Sequence, residues 1–189
     1  MIVFAQILVF LGMFFATPAF AKTASYTLND VVTRNPVTVG FANESKAATV
    51  VVFLSAYCPC SMGHEKRLME LSAMFPRFAF VGIHANQDEK PENVQAHFAR
   101  SNLPFPVLDD VDQRVANDLG AVKTPHVFVI GPKGDVLFEG GIDDSRLAID
   151  AKKHYLEEAL RAIDAGQPPS VRVVKTLGCS IRRVSRGPL

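Results

Sequence analysis

Residues 49–60 read Thr49-Val50-Val51-Val52-Phe53-Leu54-Ser55-Ala56-Tyr57-Cys58-Pro59-Cys60. The first six are apolar or β-branched, a pattern that predicts a central strand covered on both faces. Over residues 61–75, apolar side chains recur at intervals of three and four, and Pro76 then interrupts the pattern, which predicts a helix with one buried face. The stretch therefore predicts a buried strand that turns into a helix, with two thiols at the turn.

Strand-like and helix-like segments alternate along the rest of the chain. After the first helix, the predicted order is a strand (78–83), a helix (91–100), a short strand (107–108), a short helix (111–119), a hairpin (126–130 and 136–139) and a final helix (155–163). Such alternation is typical of α/β folds. We expect a single layered domain with a central mixed sheet flanked by helices.

A second motif lies at residues 123–130, which read Lys123-Thr124-Pro125-His126-Val127-Phe128-Val129-Ile130. Together with the strand, Cys-Pro and helix of the first motif, it resembles the thioredoxin superfamily. The resemblance is to the redoxin branch, which contains thiol-disulfide oxidoreductases and peroxiredoxin-like proteins, and it covers about residues 37–165. It implies a thioredoxin-like fold with a redoxin-type strand-helix insertion between the motifs, and a cis peptide bond before Pro125.

Cys58 is the predicted nucleophile. A cysteine at a helix N-terminus has unpaired N–H groups beside it, so its pKa should fall below the free value of about 8.5. The resemblance implies a substrate groove shaped by Pro125 and lined by Tyr57, Pro59 and Thr124. It also implies exchange with protein or small-molecule thiols and disulfides, an unidentified electron donor, and a redox-active disulfide in place of a cofactor.

The thiol spacing departs from the family pattern C-x-x-C, because the second thiol is Cys60 and Ser61 stands three residues after Cys58. Residues two apart on a helix do not face one another, so a Cys58–Cys60 disulfide would require the first turn to unwind. The third thiol, Cys179, follows a Pro-Pro hinge that could return the tail to the sheet. Cys60 and Cys179 both remain candidates to resolve Cys58, and Cys179 could equally form a structural bridge.

A thiol peroxidase is one alternative function, since Ser55-Ala56-Tyr57-Cys58 resembles part of the peroxiredoxin motif. Val51 replaces the proline of that motif, and Thr124-Pro125 stands where that family has an arginine. The cation that would polarise a peroxide is therefore missing from the pattern. Thiol-disulfide exchange is favoured.

A Cu(I) carrier is a second alternative, because Cys58, Cys60, Met62 and His64 place soft ligands close together in the sequence. The resemblance offers a precedent in envelope copper-delivery proteins, although their C-x-x-x-C spacing is not matched. The other histidines lie on separate predicted elements and form no convincing zinc set: His84, His97, His126 and His154.

Composition excludes several classes of protein. The chain has 20 Lys and Arg against 19 Asp and Glu, a net charge of +1, which argues against a nucleic-acid partner. Hydrophobic residues make up 48% and charged residues 21%, as in ordinary globular domains. Three cysteines are too few for a disulfide scaffold.

The N-terminal segment 1–21 has no charged side chain and ends in Ala19-Phe20-Ala21, the pattern that a signal peptidase reads. We predict a signal peptide over 1–21, an N-terminal segment over 22–36, a thioredoxin-like domain over 37–166 and a cysteine-containing tail over 167–189. The protein would be periplasmic or secreted. An uncleaved membrane anchor is the alternative, since the segment is long enough for a marginal span.

Overall fold

Strand β3 (Thr49–Leu54) lies inside a seven-stranded sheet in a computed structural model that describes residues 25–183. All of its residues are buried. It pairs in parallel with β4 (Ala79–His84) and antiparallel with β7 (His126–Ile130). The predicted central strand and the mixed sheet are thus confirmed.

The remaining elements complete the sheet and its helical layers. The other strands are β1 (Ser25–Asp30), β2 (Pro36–Gly40), β5 (Val107–Asp109), β6 (Lys123–Thr124), β8 (Val136–Gly140) and β9 (Cys179–Ser180). The helices are α1 (Pro59–Met62), α2 (Glu65–Met74), α3 (Pro91–Ser101), α4 (Arg114–Asp118) and α5 (Tyr155–Asp164), with a 3₁₀ turn at Ala148–Asp150. The sheet order is β2-β1-β5-β4-β3-β7-β8, while β6 and β9 form a separate pair. The helix α3 and strand β5 supply the insertion implied by the resemblance.

Alternate side chains of β3 enter two different cores, as the period of a strand requires. Val50, Val52 and Leu54 pack with the buried faces of α2, α3 and α5. Val51 and Phe53 pack on the opposite side with α4 and with Ile181 of the C-terminal tail. Helices therefore cover both faces of the sheet, and the tail is part of one covering layer.

The predicted helix 61–75 is divided into α1 and α2. In an unbroken helix the carbonyl oxygen of Cys60 would accept from the N–H of His64; here it bonds Nδ1 of the His64 ring (2.8 Å), and the N–H of His64 donates to Ser61 (3.0 Å). At Gly63 a Cβ would lie 2.8 Å from Leu147, so the break also accommodates a close contact. The single-helix prediction was wrong for this reason.

The predicted helix 111–119 is also shorter in the structure. The carboxylate of Asp110 accepts from the N–H groups of Val115 (3.2 Å) and Ala116 (2.9 Å), and this bonding fixes the start of α4. Gln113, before the helix, has a φ of 54°. Gly120, with a φ of 70°, follows the helix as predicted.

Both ends of the described chain join the sheet layers. Strands β1 and β2 form a hairpin that straddles the predicted domain start at residue 37, and β1 pairs with β5. The tail returns to pair β9 with β6.

The predicted signal peptide 1–21 lies outside the described residues, and within 25–183 no helix has the length and apolar character needed to cross a membrane.

Candidate functional site

Cys58 lies where the loop after β3 meets α1. It is the residue immediately before the helix, and only 2% of it is exposed. Its N–H donates to the hydroxyl oxygen of Ser55 (2.9 Å), and its thiol donates to the carbonyl oxygen of Thr124 (3.1 Å). The sulfur is therefore held between the start of α1 and the loop before β7.

The hydrogen bonds around Cys58 favour its thiolate. Burial raises the pKa of the Cys58 thiol. Hydrogen bonds from the Cys179 thiol, the Ser61 N–H and the Thr124 side chain lower the pKa by a larger amount, so it lies below its ordinary value. The Thr124 hydroxyl is buried beside the sulfur and has no other hydrogen-bond partner. Burial and contact with Cys58 raise the pKa of the Cys179 thiol. Cys58 is thus the thiol that ionises most readily of this pair.

The loop before β7 brings the tail to the site. The peptide bond between Thr124 and Pro125 is cis, as the resemblance implies, and Thr124 pairs with Cys179 across β6 and β9. At Gly178 the φ is 152°, and a Cβ would lie 2.1 Å from the carbonyl oxygen of Thr124. Only glycine permits so close an approach, and it carries the next residue, Cys179, to Cys58.

The structure brings the three cysteines together, and all three are free thiols. Cys60 is buried within α1, and its pKa is raised by burial and by the neighbouring Cys58. Cys179 is exposed on β9. The tail returns to the site, as the sequence allowed, through the pairing of β9 with β6.

A cavity of about 210 Å³ opens onto the thiols. It is lined by Ser55, Tyr57, Cys58, Asn86, Asp88, Glu89, Cys179, Ser180 and Arg182. Tyr57 is half-exposed, and its hydroxyl accepts a hydrogen bond from Asn93 (2.6 Å). Pro59, also predicted to line the groove, is exposed at the first position of α1 and is not among the lining residues.

Glu89 is a buried carboxylate beside the site that the sequence reasoning missed. Its two oxygens accept from the Ser55 hydroxyl (2.5 Å), the Ala56 N–H (2.9 Å) and the Asn86 amide (2.6 Å). Burial raises the pKa of Glu89, but its hydrogen bonds and the nearby His84 lower it more, so it stays ionised. The signal available was its position just after β4, at the same sheet edge as the end of β3.

His84 completes this buried network. Its Nδ1 lies 3.1 Å from Asp109 and its Nε2 lies 3.4 Å from Glu89. Burial lowers the pKa of His84, but the two carboxylates outweigh that effect and raise it to about 9. The imidazolium therefore sits between two carboxylates, and His84 is not isolated as its sequence position suggested.

Of the four predicted copper ligands, Cys58 and Cys60 lie close together, whereas the ring of His64 is bonded to other groups. The two ring nitrogens of His64 are directed to the carbonyl of Cys60 and to Asp143 (3.7 Å), and Met62 is half-exposed. Among residues 25–183, no three His, Cys, Asp or Glu side chains are grouped to hold a metal ion. His64 is a packed residue at the helix break.

Ser55 is placed differently from the hydroxyl of a peroxide site. Its single proton is donated to Glu89, while its oxygen accepts from the N–H groups of Tyr57 (3.1 Å) and Cys58 (2.9 Å). No proton of this hydroxyl remains to be donated to a peroxide. The residue orders the loop before α1.

A sheet of this kind, with a cysteine at the turn from β3 to α1 and a cis-proline loop facing it, defines the class of thioredoxin-like proteins. Residues 47–136 match the family model described as thioredoxin-like. The matched segment contains the strand, the Cys58 turn and the cis-proline loop, and the fold of the chain is thioredoxin-like.

Solved structures extend this similarity to nearly the whole chain. An uncharacterized conserved protein from Geobacillus kaustophilus is 26% identical, with a TM-score of 0.78 over 90% of this chain and 94% of that one. A hypothetical protein from Sinorhizobium meliloti is 26% identical, with a TM-score of 0.75 over 88% of this chain and 94% of that one. A putative thiol:disulfide interchange protein DsbE from Chlorobium tepidum shares the fold at 18% identity, with a TM-score of 0.54 over 64% of this chain and 82% of that one. No curated protein matches the sequence.

Proposed function

We propose that the protein is an exported thiol-disulfide oxidoreductase in which Cys58 is the nucleophile and Cys179 is the resolving thiol. One observation carries the proposal: β9 places Cys179 opposite Thr124, whose carbonyl oxygen accepts from the Cys58 thiol beside the cis-proline, so that both thiols line one cavity. A thiol with a lowered pKa and a second thiol in contact with it are the two groups that disulfide exchange requires.

The reaction begins with the thiolate of Cys58. It attacks one sulfur of a substrate disulfide, so that a bond forms between Cys58 and that sulfur while the substrate S–S bond breaks and the other sulfur leaves as a thiolate. Cys179 then loses its proton and attacks Cys58. The Cys58–Cys179 bond forms, the second substrate thiolate leaves, and two electrons have passed from the protein to the substrate.

The raised pKa of Cys179 suits this order of steps. Apart from burial, its main causes are the hydrogen bond to Cys58 and the negative charge on Cys58. Both end when Cys58 enters a mixed disulfide, so Cys179 becomes more acidic at the step in which it must attack. A thiol donor then returns the protein to its reduced form, and the same steps in reverse oxidise a substrate dithiol.

Cys179 is favoured over Cys60 as the resolving residue because of the elements that carry them. Cys60 lies within α1, where the N–H of Met62 donates to Cys58 (3.0 Å) and that of Gly63 donates to Pro59 (2.9 Å). A Cys58–Cys60 bond would break this turn. Cys179 lies on the two-residue strand β9, outside any helix, so a bond from it to Cys58 breaks no helical turn.

Export follows from the predicted signal peptide at 1–21, and it would place the thiols in an oxidising compartment. N-terminal sequencing of the protein isolated from cells should begin at Lys22. Retention of Met1 in the membrane fraction would instead support the uncleaved anchor.

Disulfide mapping by mass spectrometry tests the proposed pair. After oxidation by a small disulfide, non-reduced digests should contain Cys58 bonded to Cys179, with Cys60 alkylated. The variant Cys58→Ser should lose exchange activity, and Cys179→Ser should accumulate a mixed disulfide on Cys58. A dominant Cys58–Cys60 bond with Cys179 alkylated would overturn the assignment of the resolving thiol.

A further inference from the structure

The C-terminal residues 172–183, called here the docked tail, run along the molecule beside the site. At one end, the N–H of Glu139 donates to Arg172 (2.8 Å) and the N–H of Val174 donates to Glu139 (3.0 Å). At the other end, the N–H of Ile181 donates to Val122 (3.0 Å), and the Ile181 side chain is buried in a core. The tail is therefore anchored on both sides of Cys179.

The anchoring continues beyond Ile181. The backbone of Arg182 accepts from the N–H of Gln87 (3.2 Å) and from the Gln113 side chain (2.9 Å), and its N–H donates to Asn86 (2.8 Å). Asn86 is itself bonded to Glu89 of the buried network. The docked tail is thus built into the site through the same residues that support the loop before α1.

In the described structure the docked tail occupies the edge of β6 that lies beside Cys58. The two residues of β6 pair only with β9, in the register Lys123 to Ser180 and Thr124 to Cys179. A polypeptide that approached Cys58 along this edge would have to displace the tail. The tail sits where an extended segment of another protein would pair.

What remains open beside the docked tail is the cavity at the thiols. Its volume of about 210 Å³ is smaller than the roughly 300–1,000 Å³ of pockets that take drug-sized ligands. Tyr57 and Arg182 lie among its lining residues, and Cys58 forms part of the wall. Such a space has room for a small thiol compound, whereas the neighbouring β6 edge, where an extended segment would pair, is occupied by β9.

We infer that the docked tail closes the β6 edge to polypeptides and restricts disulfide exchange at Cys58 to low-molecular-weight disulfides and thiols. The inference rests on the proposed function. A small disulfide RSSR would oxidise the two protein thiols to Cys58–Cys179 and leave as two molecules of RSH. Two small thiols would reverse the reaction and leave as RSSR.

The test displaces the docked tail by substitutions that replace no cysteine. In Gly178→Ala, the new Cβ would meet the carbonyl oxygen of Thr124 at 2.1 Å, so β9 cannot keep its pairing. Gly40→Ala is the matched control, because a Cβ there meets nothing within 4 Å. Ile181→Ala is a second displacing variant, which removes the buried anchor instead.

The measurement is the single-turnover rate of mixed-disulfide formation on Cys58, which precedes the resolving step. The probes are bis(2-hydroxyethyl) disulfide and insulin. We expect wild type and Gly40→Ala to react at least about tenfold faster with the small disulfide than with insulin. Withdrawal of Cys179 from Cys58 slows both reactions by the same factor, so the quantity compared is the ratio of the insulin rate to the small-disulfide rate. Loss of the β6–β9 pairing should raise this ratio by about tenfold or more in the two displacing variants and leave it unchanged in Gly40→Ala.

The possible results distinguish a failure of this inference from a failure of the proposed function. Equal rates with insulin and the small disulfide in wild type, or an unchanged ratio of the two rates in the displacing variants, would overturn this inference and leave the proposed function intact. A Cys58 that reacts with neither disulfide in any variant would overturn the proposed function and the inference together.

Discussion

At the scale of single residues, the environment of Cys58 combines local and distant sequence. Its place before α1 follows from the residues around it, and the motif predicted that place. The helix has only four residues, however, so its dipole is small, and a main donor to the sulfur is Cys179 from the far end of the chain. The sequence predicted the position of Cys58 at the start of the helix but not which distant groups surround its sulfur.

Substitutions at Cys179 should show that the pKa of Cys58 depends on Cys179. In a Cys60→Ala background, Cys179→Ala removes the donor to Cys58, so the pKa of Cys58 should rise and its alkylation rate at pH 7 should fall several-fold. Cys179→Ser keeps a hydroxyl donor and should leave the pKa close to that of the parent. The measurement is the alkylation rate against pH. Identical profiles for the Ala and Ser variants would show that Cys179 does not stabilise the thiolate.

His84 should make the stability of the fold depend on pH. Its pKa is about 9 when folded and 6.5 in the unfolded chain, so its stabilisation is complete below pH 6.5 and is lost as the pH rises through 9. We expect the free energy of unfolding to fall by about 3 kcal/mol across that window. Urea unfolding from pH 6 to 9.5 measures it. The variant His84→Gln should have a flatter profile, and an unchanged slope would place the titration elsewhere.

At the scale of elements, the loop between β3 and α1 depends on a carboxylate from the next loop along the sheet. Glu89 holds the Ser55 hydroxyl and the Ala56 N–H, and Ser55 in turn holds the N–H of Cys58. Sequence patterns predicted both flanking strands. They did not predict this contact, because loop residues have no periodicity that records their partners.

Removing that carboxylate should weaken the whole turn. Glu89→Ala leaves buried donors of Ser55, Ala56 and Asn86 without an acceptor, which should cost about 2–4 kcal/mol in the free energy of unfolding. Urea unfolding at pH 7 is the measurement. Glu92→Ala, at an exposed site in the first turn of α3, is the control and should change stability by less than about 0.5 kcal/mol. Similar losses in both variants would contradict the supporting role of Glu89.

At the scale of the whole molecule, the sequence predicted elements that depend on neighbouring residues. It missed strand pairings between segments that lie far apart in the chain. Strands β3, β4, β7 and β8 and helices α3 and α5 follow from local patterns of apolar residues, and the order of elements then limits the fold to few arrangements. The pairing of β1 with β5 and the pairing of β9 with β6 are contacts between distant segments. The sequence predicted that the tail could return to the sheet. Its register against Thr124 could not be predicted, because Gly178 and Ile181 fit against surfaces that exist only in the folded chain.

Because the tail returns across the whole domain, oxidation should change global stability. A Cys58–Cys179 bond closes a loop of roughly 120 residues, and such a loop lowers the entropy of the unfolded chain enough to stabilise the fold by about 4–5 kcal/mol. A Cys58–Cys60 bond closes almost no loop and would break the first turn of α1, so it should give no gain. Guanidinium unfolding of the oxidised and reduced protein measures the difference, with Cys179→Ser as the control in which oxidation should leave stability unchanged or lower. If the oxidised wild type is no more stable than the reduced form, the tail is not covalently joined to Cys58, and its contacts with the site act in the reduced protein alone.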